Sequence, residues 1–174
     1  MRLVTAALLA ALLSGGAVAD EPAVPEHFKP LAFLVGHCWK GPFPDGGNTD
    51  EHCFEWMFGT TFIRDRHVVR GSGPDYRGET IYAFRPDQGT VGYTYWASNG
   101  GMSAGEMVVD GDRIVFPAER YVSDVGEQTL RSIWQRTGPD RYRVVTETLD
   151  GTRWVEAWHM ELIRSGPVAV KTPR

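Results

Sequence analysis

Apolar and polar residues alternate with a period of two along most of this 174-residue chain, the pattern of strands that bury one face. Residues 77–85 show it best: Thr80, Tyr82 and Phe84 share one face, and Arg77, Glu79 and Arg85 share the other. Residues 51–58 put His52, Phe54, Trp56 and Phe58 on one side and Glu51, Cys53, Glu55 and Met57 on the other. Residues 127–136 group Leu130, Ser132 and Trp134, and residues 141–149 group Tyr142, Val144, Thr146 and Thr148. In residues 152–163 strict alternation places Trp154, Glu156, Trp158, Met160 and Leu162 together, opposite Arg153, Val155, His159 and Glu161. Residues 61–70 are less clean. Arg64, Arg66 and Arg70 alternate with Ile63, Asp65, His67 and Val69, so a polar group turns inward whichever set is buried. Further strands are predicted at 36–40, 90–97, 102–109 and 113–116.

Gly, Pro and Asp-Gly punctuation separates these runs. Pro86-Asp87-Gln88-Gly89 is a β-turn, and Asn99-Gly100 and Asp110-Gly111 suit tight hairpins. Residues 30–34 suit a single helical turn with Pro30 first, able to plug a barrel end with Phe33 and Leu34. The connection 117–126 is open: Tyr121 and Val122 fit either a strand or a helical turn. The chain therefore reads as all-β, a single antiparallel up-and-down barrel of about ten strands. Closure removes the exposed edges of an open sheet, and that strand count leaves an interior cavity. The alternative architecture is an open β-sandwich.

Composition narrows the function classes. The chain is 42% hydrophobic and 23% charged, which fits one domain, and its net charge of −4 gives no footprint for nucleic acid. Residues 1–19 carry the marks of a secretory signal: Arg2, an apolar run at 3–13, and Ala17-Val18-Ala19 as a small-x-small cleavage site. The run at 3–13 is too short to span a membrane and no later run approaches that length, so a soluble periplasmic or secreted protein is expected. The layout is signal 1–19, extension and plug 20–34, barrel 35–164 and flexible tail 165–174. The two cysteines of an exported chain suggest a disulfide, Cys38–Cys53. A Cys2His2 zinc site from His37-Cys38 and His52-Cys53 is the competing reading, but neighbours on a strand point to opposite faces. The sequence is silent on oligomeric state.

The segment Leu34-Val35-Gly36-x-x-Trp39-x-Gly41, fed by a short N-terminal turn and followed by meandering hairpins, resembles the calycin-like barrels. These include lipocalins, fatty-acid-binding proteins, nitrobindin-type haem barrels and secreted bacterial relatives. The resemblance implies a barrel with an internal ligand cavity and leaves the cargo open. It implies one haem hypothesis, since nitrobindin-like barrels hold iron through a His on a late strand, here His159. The alternation argues against it by turning His159 to solvent, and no cofactor is expected.

The same alternation turns Glu156 inward between Trp154 and Trp158, where a carboxylate needs a partner. Arg64 or Arg66 is the expected cation, making either a ligand head-group anchor or a structural ion pair. Tyr82, Tyr93, Tyr95, Trp134 and Glu106 are expected to line the cavity, and Trp39 to close the barrel bottom. Gly101-Met102-Ser103-Ala104-Gly105 matches a nucleophile elbow, but the strand continues beyond it and no α/β pattern surrounds it. The expected function is binding of a small, largely hydrophobic molecule with a polar head. The alternatives are an enzyme using Glu156 as acid/base, and a filled barrel of structural or interaction type.

Overall fold

The computed structural model describes residues 23–169. The signal expected at 1–19 and the tail residues 170–174 lie outside the described residues. A 3-10 turn, Glu26–Leu31, leads into ten strands: β1 His37–Pro42, β2 Thr49–Met57, β3 Phe62–Arg70, β4 Tyr76–Arg85, β5 Thr90–Ala97, β6 Met102–Asp110, β7 Arg113–Ser123, β8 Gly126–Gly138, β9 Arg141–Asp150 and β10 Arg153–Pro167. Each strand pairs antiparallel with its neighbours in sequence, and β1 pairs with β10 to close the ring. This is the up-and-down barrel that the alternation predicts, not a sandwich.

Two expected boundaries move. Strand β10 runs through Pro167, because His37 pairs with Pro167 and Cys38 with Gly166, so residues 165–167 belong to the barrel. The open connection 117–126 is the continuation of β7 and the start of β8, joined by a tight hairpin at which Ser123 pairs with Gly126. Pro117 looks like a strand breaker in the sequence. It sits where the β7–β8 register shifts, between Phe116 and Glu119, and a bulge leaves an N–H out of the ladder.

One end of the barrel is plugged. Phe28, Leu31 and Leu34 are fully buried and seal the end that carries the β2–β3 and β4–β5 turns. His27 stacks on Phe84 at 4.1 Å, and Phe28 meets Trp56 edge-on at 5.7 Å. The turn thus falls earlier than the residues 30–34 expected, with Pro30 inside it, and Phe28 takes the role assigned to Phe33. Trp39 is fully buried, as its assignment to the barrel bottom required. Its indole N–H donates to the Leu34 carbonyl at 3.0 Å, tying the plug to β1.

Cys38 lies directly opposite Cys53 across β1 and β2, and the two form a disulfide. The bond excludes the zinc arrangement. It closes a loop of sequence separation 15, for which chain entropy predicts a contribution of about 3 kcal/mol. A Cys38→Ser/Cys53→Ser double variant should therefore unfold at lower urea, with stability reduced by about 3 kcal/mol and the folded-state tryptophan emission unchanged.

Candidate functional site

Above the plug the barrel encloses a cavity of about 460 Å³, within the range of ligand-binding cavities. Phe43, from the β1–β2 loop, lines it from the end opposite the plug, which marks that end as the mouth. One wall is apolar and aromatic: Tyr82, Phe116, Trp134, Val144, Trp158 and Met160. The wall towards the mouth is polar and draws on Asp50, His52, His67, Tyr76, Tyr95 and Tyr121.

The polar wall is built by register. Counting outward from the β2–β3 turn puts His52 opposite His67 and Phe54 opposite Asp65. The imidazoles stack with centroids 4.7 Å apart and planes inclined by 13°. Asp50 lies between them: its carboxylate is 3.1 Å from His52 Nε2 and 3.0 Å from His67 Nδ1. Each ring's other nitrogen is also held, His52 Nδ1 by Asp65 at 2.8 Å and His67 Nε2 by the Tyr95 hydroxyl at 3.0 Å. From Tyr95 a chain of hydroxyls runs through Tyr76 at 2.8 Å to Tyr121 at 3.3 Å.

These contacts set the electrostatics. Asp50 and Asp65 are only 4% and 2% exposed. Burial opposes ionisation of Asp50, but the His52 charge and hydrogen bonds from both imidazoles outweigh it and hold the carboxyl below its usual range. Burial likewise disfavours protonated His52, yet the flanking Asp65 and Asp50 raise its pKa well above 6.5. Burial first, then neighbouring hydroxyls, pushes Tyr76 and Tyr95 up, so both stay protonated donors.

A second polar spot lies across the cavity. Tyr93 and Ser103 both donate to Glu119 Oε2, at 2.5 and 3.0 Å. Ser103 belongs to an unbroken strand, so the Gly101–Gly105 motif forms no nucleophile elbow. The bulge at Pro117 is what turns Glu119 and Tyr121 to the inside.

Of the residues expected in the cavity, Tyr82, Tyr93, Tyr95, Trp134 and Trp158 line it. Trp154 and Glu156 do not. Strand β10 pairs Glu156 with Glu147 and Trp158 with Thr146, leaving Ala157 as an extra residue. This one-residue bulge reverses the facing of everything before it. Trp154 lies on the outer surface beneath the Arg131 guanidinium, 4.6 Å from the ring centroid, and Arg131 bonds Glu147 at 2.6 Å. Glu156 is half-exposed outside and pairs with His159 Nδ1 at 2.6 Å. The alternation was right in turning His159 outward, and it lies apart from the cavity lining.

Arg64 and Arg66 are also outside. Both pair with Glu55, Arg64 Nε at 2.8 Å and Arg66 at 3.2 Å, so neither meets Glu156. Glu106 faces out towards Arg85 at 3.8 Å. The inward set of β3 is the one carrying Ile63, Asp65 and His67. The sequence signal for the missed residues was the hairpin register, which places His52 across from His67.

Gly78, opposite His67 on β4, makes room for this cluster: a Cβ there would collide with His67 Nε2 and the Tyr95 ring. Gly78→Ala should displace one of them and cost about 1–3 kcal/mol in chemical denaturation. Gly73→Ala, with open space around its Cβ position, should change stability by less than about 0.5 kcal/mol.

No protein-family model and no curated protein matches this sequence. Among solved structures, Rv2717c from M. tuberculosis has a similar fold, with a TM-score of 0.57 and 17% sequence identity. The match covers 82% of this chain and 99% of that one, so the likeness extends over most of both chains.

Proposed function

We propose that this barrel binds a small molecule with a largely apolar body and an uncharged polar head, in an exported setting. The observation that carries the reading is the divided cavity: about 460 Å³, aromatic on one wall and lined by imidazole, carboxylate and phenol groups near the mouth. An apolar body gains by leaving water for the wall of Tyr82, Phe116, Trp134 and Trp158. The head then meets Tyr95, Tyr76 and His67, which offer hydrogen-bond donors and acceptors within a few ångströms of one another. No Lys or Arg lines the cavity among the described residues, so an anionic head has no counter-charge there. The Cys38–Cys53 disulfide and the apolar run at 3–13 support export.

The head-group anchor differs from the sequence-based expectation. Glu156 and the two arginines cannot serve, because the bulge and the strand parity put them outside. The enzyme alternative loses its acid/base residue for the same reason. The cavity also argues against the filled-barrel reading.

The test uses 1-aminoanthracene, an uncharged fluorophore with an aromatic body and an amine head, together with native mass spectrometry of protein purified without denaturation. The expected result is saturable binding with a blue shift in emission, or a co-purified molecule displaced by the dye. Leu130→Trp, which fills the aromatic wall, should weaken dye binding at least about tenfold while the barrel stays folded. Glu156→Gln should bind like the parent. Dye binding unaffected by Leu130→Trp, or no binding of any kind, overturns the reading.

A further inference from the structure

Three side chains of the polar wall present metal-type donors to one point. One donor atom each from Asp50, His52 and His67 lies within 4.8 Å of the others. The Asp50 carboxylate stands 3.1 Å from His52 Nε2 and 3.0 Å from His67 Nδ1. Ligands about 2.1 Å from a tetrahedral ion lie about 3.4 Å from one another, so these separations already approach a coordination polyhedron. We propose that Asp50, His52 and His67 bind one divalent transition-metal ion, with the remaining coordination positions facing the cavity.

The surroundings support this assignment independently of the donors. A metal-bound imidazole commonly donates its second N–H to a fixed acceptor, which sets the tautomer and the ring orientation. His52 Nδ1 has Asp65 at 2.8 Å for that purpose, and His67 Nε2 has the Tyr95 hydroxyl at 3.0 Å. The nitrogens left over are the two that face Asp50. Asp65 is 2% exposed and its Oδ1 has no hydrogen-bond partner among the described residues. Two buried carboxylates thus face two imidazoles with no Lys or Arg in the cavity lining, and a divalent cation would neutralise them.

The donor set also narrows the ion. Two imidazoles and one carboxylate suit zinc, iron(II) and their first-row neighbours rather than calcium or magnesium, which take mainly oxygen ligands. All three ligands line the cavity, so three protein donors leave open positions as in sites that bind an exogenous ligand. The site needs only the polar wall and does not depend on the small-molecule reading.

The experiment uses untagged, full-length protein stripped with EDTA and titrated with Zn2+ by calorimetry and with Co2+ by visible absorption. A single ion per chain is expected, with Co2+ bands typical of nitrogen and oxygen ligation. His52→Ala/His67→Ala should weaken Zn2+ binding at least about a hundredfold, and Asp65→Asn, which frees one imidazole, about ten- to a hundredfold. Since those variants remove buried groups, NMR on the parent protein supplies a second readout. Co2+ should shift or broaden the ring signals of His52 and His67 and spare His27, His37 and His159.

Absence of stoichiometric binding overturns the proposal. So does full affinity in a folded double-His variant, or paramagnetic effects centred on one of the other three histidines. Dye binding by the EDTA-stripped protein, scored separately, shows whether the cavity accepts a small molecule when the metal result fails.

Discussion

Closure of the ring between β1 and β10 is the contact on which the other features rest. Without it both strands would present unpaired N–H and C=O groups, and the sheet would have no inside. Trp39 shows how closure is secured. It is fully buried, pairs across β1 with both β2 and β10, and donates its indole N–H to the plug. Tyr142 meets it edge-on at 5.3 Å, and Arg164 covers it from 5.2 Å. The disulfide clamps the same strand to β2 on the outside. The strand joining the two ends of the meander is thus held by packing within and by a covalent bond without.

A closed ring converts strand parity into chemistry, since odd and even positions become lumen and solvent. Where strands run unbroken, that parity was legible from sequence. Tyr82, Tyr93 and Tyr95 face inward as expected because β4 and β5 keep a continuous register. Parity fails where a strand carries an extra residue; Ala157 does not announce one, and Pro117 marks a break without showing that the strand continues beyond it with reversed facing. The first bulge expels Trp154 and Glu156. The second brings in Glu119 and Tyr121. Both sites were misread or left open for one physical reason: a bulge is a tertiary decision about ring shape, made where the sheet must coil, and small residues such as Ala157 permit it without marking it.

The polar wall was illegible in a different way. His52, His67 and Tyr95 lay in predicted strands, whereas Asp50 and Tyr76 fell just before the expected starts at 51 and 77, and Tyr121 lay in the open connection 117–126. What could not be read was that burial would fall on the β3 face carrying Asp65 and His67, because the opposite face carries three arginines and no apolar excess. The exterior supplies the reason. Arg64 and Arg66 reach Glu55 across the outer surface and keep solvent contact, whereas the carboxylates inside are already engaged, Asp50 and Asp65 by the imidazoles and Glu119 by Tyr93 and Ser103. Two imidazoles lose less than two guanidiniums on burial because Asp50, Asp65 and Tyr95 already hold all four of their ring nitrogens. The face with histidines is therefore the cheaper one to enclose.

That preference leaves the cavity lining, among the described residues, with the carboxylates of Asp50 and Glu119 and no Lys or Arg. Asp50 and Asp65 are stable inside only while the imidazoles, or something bound between them, balance their charge. The hydroxyl chain from Tyr95 to Tyr121 cannot do so, because burial keeps the Tyr76 and Tyr95 hydroxyls protonated. It donates and accepts hydrogen bonds and fixes ring positions, as the Tyr95 hydroxyl does beside His67 Nε2. Charge balance and cavity shape are therefore set by different walls of the lumen. The carboxylates of the polar wall make the Asp50–His52–His67 corner the part of the lumen where positive charge is most favoured.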